Sequence, residues 1–141
     1  MANARWVFRV VCTVALSLAV AGCHRAGNAG ASEGAEGEFV QAFLAAHANK
    51  DLDAEEKLVD WDNVAEASRN HFIGELKSGL DVKITAKVES MPAVPAGFSE
   101  RYNIPPEKFL TVVYDDRRGP ITMKFPIAKK DGRYYFALRK E

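Results

Sequence analysis

The sequence is poor in cysteine and has no excess of either charge. Its 141 residues include 2 cysteines and balance 19 basic against 19 acidic side chains. A nucleic-acid-binding domain normally carries a clear positive excess, so we expect no nucleic-acid partner. The sequence also lacks the HExxH, CxxC, glycine-rich phosphate-loop and Gly-x-Ser-x-Gly motifs. We therefore assign no catalytic residue, metal ligand or cofactor from motifs.

The sequence also lacks an apolar run long enough to cross a membrane as a helix. Its longest such run extends from Val10 to Ala21 and is interrupted by Thr13 and Ser17, whereas a spanning helix needs about 20 apolar residues. Arg5 and Arg9 precede the run, and small residues close it. A basic start, a short apolar run and small residues are typical of an export signal that is later removed.

The end of this segment resembles the lipobox of bacterial lipoprotein precursors. Val20, Ala21, Gly22 and Cys23 supply the aliphatic residue, the two small residues and the cysteine of that motif. The resemblance implies a signal peptide over residues 1–22, acyl chains on Cys23 and attachment of the protein to the membrane. Several acyl chains would hold the protein firmly, because a single chain binds a membrane only marginally.

Cleavage before Cys23 changes what the cysteines can do. Cys12 lies inside the apolar run and leaves with it, so Cys23 has no partner for an internal disulfide. The mature part carries 17 basic and 19 acidic side chains, because Arg5 and Arg9 are also removed. His24 occupies the position at which some bacterial lipoproteins carry an aspartate that retains them in the inner membrane. The resemblance therefore implies the outer membrane, with the protein facing the periplasm.

Residues 23–37 form the expected tether. After Cys23 this stretch has no large apolar residue and is rich in glycine and alanine, so it cannot build a core. A flexible coil of this length spans about 20 Å. A single globular domain is expected over residues 38–141, which is long enough to bury a core without a metal or a disulfide.

The first half of this domain has the periodicity of helices. Apolar residues at helical spacing predict a first helix from Glu38 to near Asn49. Asp53 and Glu56 have the spacing of a capping box at the start of a short second helix, and Asp62 is expected to cap a third. The inward faces of the first and third helices are predicted to carry Phe39, Val40, Phe43, Leu44, His47, Val64, Ala65, Ser68, Phe72, Ile73, Leu76 and Leu80.

The second half alternates with a period of two and predicts strands. Their expected ranges are 82–89, 109–115, 121–128 and 133–139. Pro126 in the third strand suggests an edge position or a bulge, and Asp131-Gly132 is the pair that a tight type I′ turn prefers. The proline-rich connection at residues 91–108 is long enough to be a lid or a partner contact.

Helices followed by an antiparallel meander predict an α+β domain with the helices on one face of a sheet of about four strands. Residues 39–46 of the opening helix and the closing segment 125–136 resemble the nuclear-transport-factor-2-like (NTF2-like) group, which includes the SnoaL-like proteins. Where that group often has tryptophan after the Asp-Gly turn, this chain has Tyr134 and Tyr135. The resemblance implies a curved, cone-shaped sheet and a pocket between the first helix and its concave face.

Each helix histidine is followed by a carboxylate one turn later. The pairs His47–Asp51 and His71–Glu75 could hold a proton-transfer group or two metal ligands, or could be ordinary polar pairs on a helix surface. Trp61 could stack on a ligand at a pocket mouth or be buried beside a helix cap. The candidate pocket residues are Phe43, His47, Trp61, His71, Tyr114 and Tyr135.

Three functions are compatible with these features. The one we favour is a non-catalytic envelope lipoprotein that binds a small apolar ligand or an envelope protein through the pocket or through residues 91–108. The second is a SnoaL-like isomerase or hydrolase that uses His47 or His71 with a carboxylate. The third is an accessory subunit of a secretion or envelope complex, which docks through the sheet face or the Arg117-Arg118 turn.

The resemblance also bears on self-association. NTF2-like domains often dimerise through the sheet, and Leu110, Val112 and Tyr114 would give the sheet an apolar second face. A homodimer is therefore left open.

Overall fold

The computed structural model describes residues 34–140 of the chain. The predicted signal peptide, Cys23 and the tether up to residue 33 lie outside the described residues. Three helices precede four strands, and a 3₁₀ turn at Ser99–Arg101 lies between the first two strands. The prediction of an α+β domain with its helices N-terminal to the sheet is confirmed. Within the described range, no helix has the length and apolar character that a membrane span requires.

The helices are α1 at Ala35–Ala48, α2 at Leu52–Glu56 and α3 at Glu66–Gly79. α1 ends at Ala48, close to the predicted end, but begins at Ala35 instead of Glu38. Its first turn contains Glu36 and Glu38, where negative charge is favoured by the positive end of the helix dipole. Part of the predicted tether is therefore helical.

The cap of α2 differs from the predicted capping box. The N-cap residue is Asp51, whose carboxylate accepts a hydrogen bond from the backbone N–H of Ala54 at 3.0 Å. Asp53, the predicted cap, lies within the first turn of the helix. The prediction placed the start too late because Asp51 and Asp53 are both competent caps, and local sequence does not choose between them.

The start of α3 is set by a tertiary contact instead of the predicted cap at Asp62. The N-cap residue is Ala65, which has no side-chain cap, and its backbone N–H donates to the carbonyl of Arg139 at 3.2 Å. Asp62 instead lies 3.3 Å from the Lys130 ammonium group. Between them Asn63 has a left-handed φ of 58°, which keeps the chain out of the helix at that point.

The strands are β1 at Ile84–Ser90, β2 at Lys108–Asp116, β3 at Gly119–Lys130 and β4 at Arg133–Phe136. They form an antiparallel meander in the order β1-β2-β3-β4. All four predicted strands are confirmed, although β4 ends at Phe136 instead of Arg139. The predicted type I′ turn is also confirmed, since Asp131 and Gly132 have φ values of 51° and 83° between the paired residues Lys130 and Arg133.

Pro126 lies in an interior strand, so its predicted edge position or bulge is wrong. It pairs with Phe109 of β2, and β3 has β4 on its other side. The β3–β4 ladder ends at the pair Ile127–Phe136, and the Pro126 carbonyl accepts the next bond from the Ala137 N–H at 2.9 Å. The donor that proline lacks would point to the side on which β4 has ended, so the sheet loses little there.

The helix-facing side of the sheet forms the core. Leu110 and Val112 are fully buried there, and Tyr114 is 8% exposed. These side chains belong to the core that the helices cover and do not form the free second face that the sequence suggested.

The centre of the core is a cluster of phenylalanine rings. The ring of Phe136 in β4 lies 5.1 Å from Phe39 and 5.6 Å from Phe43 of α1, centroid to centroid. It also lies 5.1 Å from Phe72 of α3 and 5.8 Å from Phe125 of β3. Most of these contacts are edge-to-face, the arrangement that aromatic pairs prefer. These rings pack against one another between the helices and the sheet.

α3 approaches β2 so closely at Gly79 that a side chain has little room there. A Cβ atom at this position would lie 2.8 Å from Cε1 of the buried Tyr114 ring. We expect Gly79→Ala to lower the free energy of unfolding by about 1–3 kcal/mol, because overpacking of a core contact costs that much. Urea unfolding followed by circular dichroism measures the change.

Gly74 in the same helix is the matched control. A Cβ atom there meets nothing within 4 Å, so Gly74→Ala should raise the free energy of unfolding by up to about 1 kcal/mol through helix propensity alone. Equal stabilisation by both substitutions would contradict the tight contact between Gly79 and Tyr114.

Candidate functional site

His47 is buried at the last turn of α1 and contacts Glu55 of α2. Its ring Nδ1 lies 3.1 Å from the Glu55 Oε1 atom, and its Nε2 lies 2.8 Å from the Val82 carbonyl oxygen. The His47 residue is 6% exposed and Glu55 is fully buried. The predicted partner Asp51 caps α2 instead, so the predicted helix-surface pair does not form.

The hydrogen bonds of this pair fix one proton, the one on the Nε2 of His47. A carbonyl oxygen only accepts, so the Nε2 of His47 carries a hydrogen and donates it to Val82. In a neutral imidazole Nδ1 is then an acceptor, and the hydrogen between Nδ1 and Oε1 belongs to the carboxyl group of Glu55. Burial raises the pKa of Glu55, against the opposing effect of its hydrogen bond with His47. The raised pKa favours the neutral acid form of Glu55, in which the carboxyl group donates to the His47 Nδ1.

The second oxygen of Glu55, Oε2, has no hydrogen-bond partner among residues 34–140. A buried polar atom without a partner costs about 1–3 kcal/mol, and more when it is charged. The unpartnered oxygen thus favours the neutral acid as well. Burial, as the largest cause, raises the pKa of the Tyr114 hydroxyl to about 12.

Neither histidine of the helices is placed as a catalytic group. Both ring nitrogens of His47 are used within the protein, which leaves none for a substrate or a metal ion. His71 lies on the solvent-exposed side of α3 with 76% of its side chain exposed, 3.2 Å from Glu75. His71 and Glu75 therefore form an ordinary polar pair on the helix surface, which is one of the two arrangements that the sequence predicts for them. Among the described residues, no group of three or more histidines, cysteines or acids could hold a metal ion.

The remaining candidate pocket residues have different surroundings. Phe43 and Tyr114 are part of the core. Trp61 is half-buried, donates its indole N–H to the Glu56 carbonyl at 3.1 Å and carries the Arg69 guanidinium 4.8 Å from its ring centroid. Tyr135 pairs with Ala128 on the opposite face of the sheet from Phe136. The structure therefore does not gather the predicted residues around one cavity.

The connection between β1 and β2 has a fixed part, residues 98–107, which we call the anchored segment. Its rings Phe98 and Tyr102 pack at 5.1 Å, and Tyr102 forms an antiparallel bridge with Arg139. The side-chain amide of Asn103 donates to the Asp60 carbonyl and accepts from the Leu138 N–H at 2.8 Å. These bonds tie the segment to the C-terminal residues and to the α2–α3 connection.

Every residue in the first part of the same connection, residues 92–97, is exposed, and we call this part the projecting segment. Its Val94 is 39% exposed and, with Ile121, is one of the large apolar side chains that the described structure leaves at the surface. Pro92 and Pro95 restrict its backbone, and the anchored segment fixes its C-terminal end. Such a segment loses little conformational entropy on binding, because much of it is already restricted.

A cavity of about 440 Å³ lies beside the anchored segment. Its lining consists of Asn63, Val64, Asn103 and Lys140. The size falls in the range of small-molecule sites, but the lining is mostly polar and both groups of the Asn103 amide are already hydrogen-bonded. It is a different site from the apolar pocket that the resemblance implies.

The face of the sheet opposite the helices carries a charged network around Glu89 of β1. Its carboxylate lies 2.7 Å from Lys87 and 3.0 Å from Lys124, and accepts a hydrogen bond from the Thr111 hydroxyl at 2.6 Å. These contacts, Lys87 foremost, lower the pKa of Glu89 to about 2. Glu89 is therefore ionised at neutral pH.

Glu55 was missed by the sequence reasoning, although a signal exists. In the sequence it has helical spacing with Leu52 and Val59, although α2 ends at Glu56, and Val59 is 5% exposed. A carboxylate in line with apolar neighbours indicates a buried polar group that needs a partner. The identity of that partner depends on how α2 folds back onto α1.

The described residues thus offer a buried acid–imidazole pair, a polar cavity and an exposed, proline-restricted segment. The pair is enclosed by the protein, whereas the cavity and the projecting segment are open to a partner. Comparisons of the chain with protein-family models, with curated proteins and with solved structures find no match.

Proposed function

We propose that this chain is an envelope lipoprotein, lipidated on Cys23, whose domain binds an envelope protein without catalysing a reaction. The observation that carries the proposal is the filled interior. Where the resemblance implies a pocket between α1 and the sheet, the rings of Phe39, Phe43 and Phe136 pack against one another. A filled interior leaves the surface for recognition, which favours a protein partner over a small apolar ligand.

We keep the NTF2-like group as the proposed fold family. Helices followed by an antiparallel meander support it, as does the Asp-Gly turn before the aromatic strand β4. This domain would be a member in which aromatic side chains pack where the group has its pocket. The SnoaL-like enzyme is the weaker alternative, because His47 has no free ring nitrogen and His71 lies on the helix surface.

The projecting segment is the proposed contact with the partner. It combines exposure, an apolar side chain at Val94 and a backbone restricted by Pro92 and Pro95. The tether ends where α1 begins, at Ala35, so the domain would work within about 20 Å of the membrane. An accessory subunit of an envelope or secretion complex is a specific form of this proposal.

Lipidation is tested by mass spectrometry of the mature protein. We expect an N-terminal Cys23 carrying a diacylglyceryl group, found in the outer-membrane fraction. Cys23→Ala should abolish the modification and the membrane attachment, because it removes the acceptor sulfur. Cys12→Ala is the matched control and should change neither, since Cys12 is removed with the signal peptide. A mature protein that begins at an unmodified Met1 would contradict the proposal.

The contact is tested with a photo-crosslinking amino acid placed at Val94 of the full lipoprotein in cells. We expect a discrete crosslinked product that contains one envelope protein. The same amino acid at Ile121, which is 51% exposed but lies at the β2–β3 hairpin, should give no such product. Crosslinking that is absent at Val94, or equal at both positions, would exclude the projecting segment as the contact.

A further inference from the structure

The two edges of the sheet differ in whether their backbone groups have partners. At the β4 edge, the Phe136 N–H donates to the Leu58 carbonyl at 2.9 Å and Val59 pairs with Phe136 as a parallel bridge. At the β1 edge, no strand or backbone group within residues 34–140 bonds to residues 84–90 from the side away from β2. One edge is closed by the chain itself and the other is open.

The register identifies the groups that this open edge presents. The Asp115 N–H donates to the Lys83 carbonyl at 2.8 Å, and Lys83 continues the β1–β2 register. In an antiparallel pair, alternate residues bond to the neighbouring strand. The odd-numbered residues of β1 therefore bond to β2, and the even-numbered ones direct their N–H and C=O groups outward: Ile84, Ala86, Val88 and Ser90. Such a row is a template for another strand.

We propose that β1 pairs antiparallel with β1 of a second copy of this chain, about a two-fold axis at Ala86. In this register Ala86 lies opposite Ala86, Ile84 opposite Val88, and Lys83 opposite Glu89 of the second copy. The outward-facing groups of both strands then bond to one another. The two sheets become one, with the helices of both copies on the same face.

Charge selects this register over its neighbours. A shift that keeps the same residues outward moves the axis to residue 85 or residue 87. With the axis at 85, Lys83 would face Lys87 of the second copy, and with the axis at 87 the two copies of Lys87 would face each other. Like charges directly opposite destabilise a strand pair, whereas opposite charges stabilise it. The axis at Ala86 sets a lysine against a carboxylate twice, by symmetry.

The neighbours of Glu89 hold its carboxylate in a position to face Lys83 of the second copy. Thr111, Lys87 and Lys124 hold the carboxylate, and they use three of the roughly four positions at which a carboxylate accepts hydrogen bonds. One acceptor position is left for Lys83 of the second copy. Pairing would also bury the half-exposed side chains of Ile84 and Val88 against each other. The pairing involves only described residues and is independent of the proposed function.

Disulfide crosslinking tests the register. The full chain carrying Ala86→Cys, purified in detergent and mildly oxidised, should form a disulfide-linked dimer, because residues directly opposite have Cα atoms about 5.5 Å apart. Thr85→Cys and Lys87→Cys are the matched controls. Their equivalents in the second copy lie two residues out of register and too far apart for a disulfide, and the unsubstituted chain gives the background.

Sedimentation of the same purified protein tests the charge pairing. We expect a reversible dimer, and Lys83→Glu should raise its dissociation constant at least about tenfold, because two attractive pairs become repulsive. Lys129→Glu, which reverses an exposed lysine near the other end of the sheet, should leave it unchanged. An unchanged dissociation constant for Lys83→Glu would overturn the proposal. So would equal crosslinking at residues 85, 86 and 87, or a monomer at all concentrations, the result expected if the tether filled the edge.

Discussion

Phe136→Ala is expected to lower the free energy of unfolding by about 3–5 kcal/mol, as phenylalanine truncations in a core do. Phe136 is 1% exposed and its ring meets those of Phe39, Phe43, Phe72 and Phe125. Alanine removes the buried ring and the edge-to-face contacts together. Because domains of this size have total stabilities of about 5–15 kcal/mol, the variant should unfold at a much lower urea concentration.

Tyr135→Ala is the control for that prediction. Tyr135 is the neighbouring residue in β4 and lies on the other, partly exposed face of the sheet. Tyr135→Ala should lower the free energy of unfolding by less than half as much as Phe136→Ala does, measured by the same urea unfolding. Equal losses for the two variants would show that the ring cluster does not hold the helices on the sheet.

The stability of the domain is expected to fall as pH rises above about 4.5, because of Glu55. Its pKa is raised from an ordinary value of 4.5, first by burial. Above that pH the unfolded chain releases the Glu55 proton while the folded state keeps it. The free energy of unfolding therefore falls with rising pH until the pH exceeds the raised pKa of the folded state. Between the two pKa values, the free energy of unfolding falls by up to about 1.4 kcal/mol per pH unit for one proton. Unfolding measured from pH 4 to pH 9 gives the slope.

Glu55→Gln should remove this slope and make the domain more stable than the unsubstituted protein at pH 8. A glutamine amide can donate to the Nδ1 of His47 as the carboxylic acid does, but it has no proton to lose. Glu55→Ala should cost about 2 kcal/mol or more at every pH, since it leaves Nδ1 unpaired beside a cavity. His71→Gln, which changes an exposed histidine, should keep the slope. A less stable Glu55→Gln with the slope intact would mean that Glu55 is ionised.

The elements that local sequence determines were predicted well. Alternation identified all four strands, and Asp131-Gly132 identified the β3–β4 turn because that pair accepts positive φ. The start of α3 was not predictable in this way. The Ala65 N–H bonds to Arg139, a residue far along the chain, and this contact overrides the local preference for Asp62 as a cap.

The candidate site could be predicted only in part. His47 was identified, but its partner was expected one turn later on the same helix. The chain leaves α1 through Lys50, which has a left-handed φ of 55°, and α2 folds back so that Glu55 reaches the imidazole. A pairing across such a break depends on tertiary structure. The lipobox at Cys23 is a local pattern, and the anchor that it implies stays a prediction.

The segment after β4 sets the order in which the domain can be completed. The Arg139 carbonyl accepts from Ala65, the Lys140 N–H donates to Arg101, and the Leu138 N–H donates to Asn103. These residues are synthesised after the rest of the domain, so the first turn of α3 and the anchored segment lack their partners until then. Residues 138–140 therefore complete the first turn of α3 and the anchored segment only after the rest of the domain has been made.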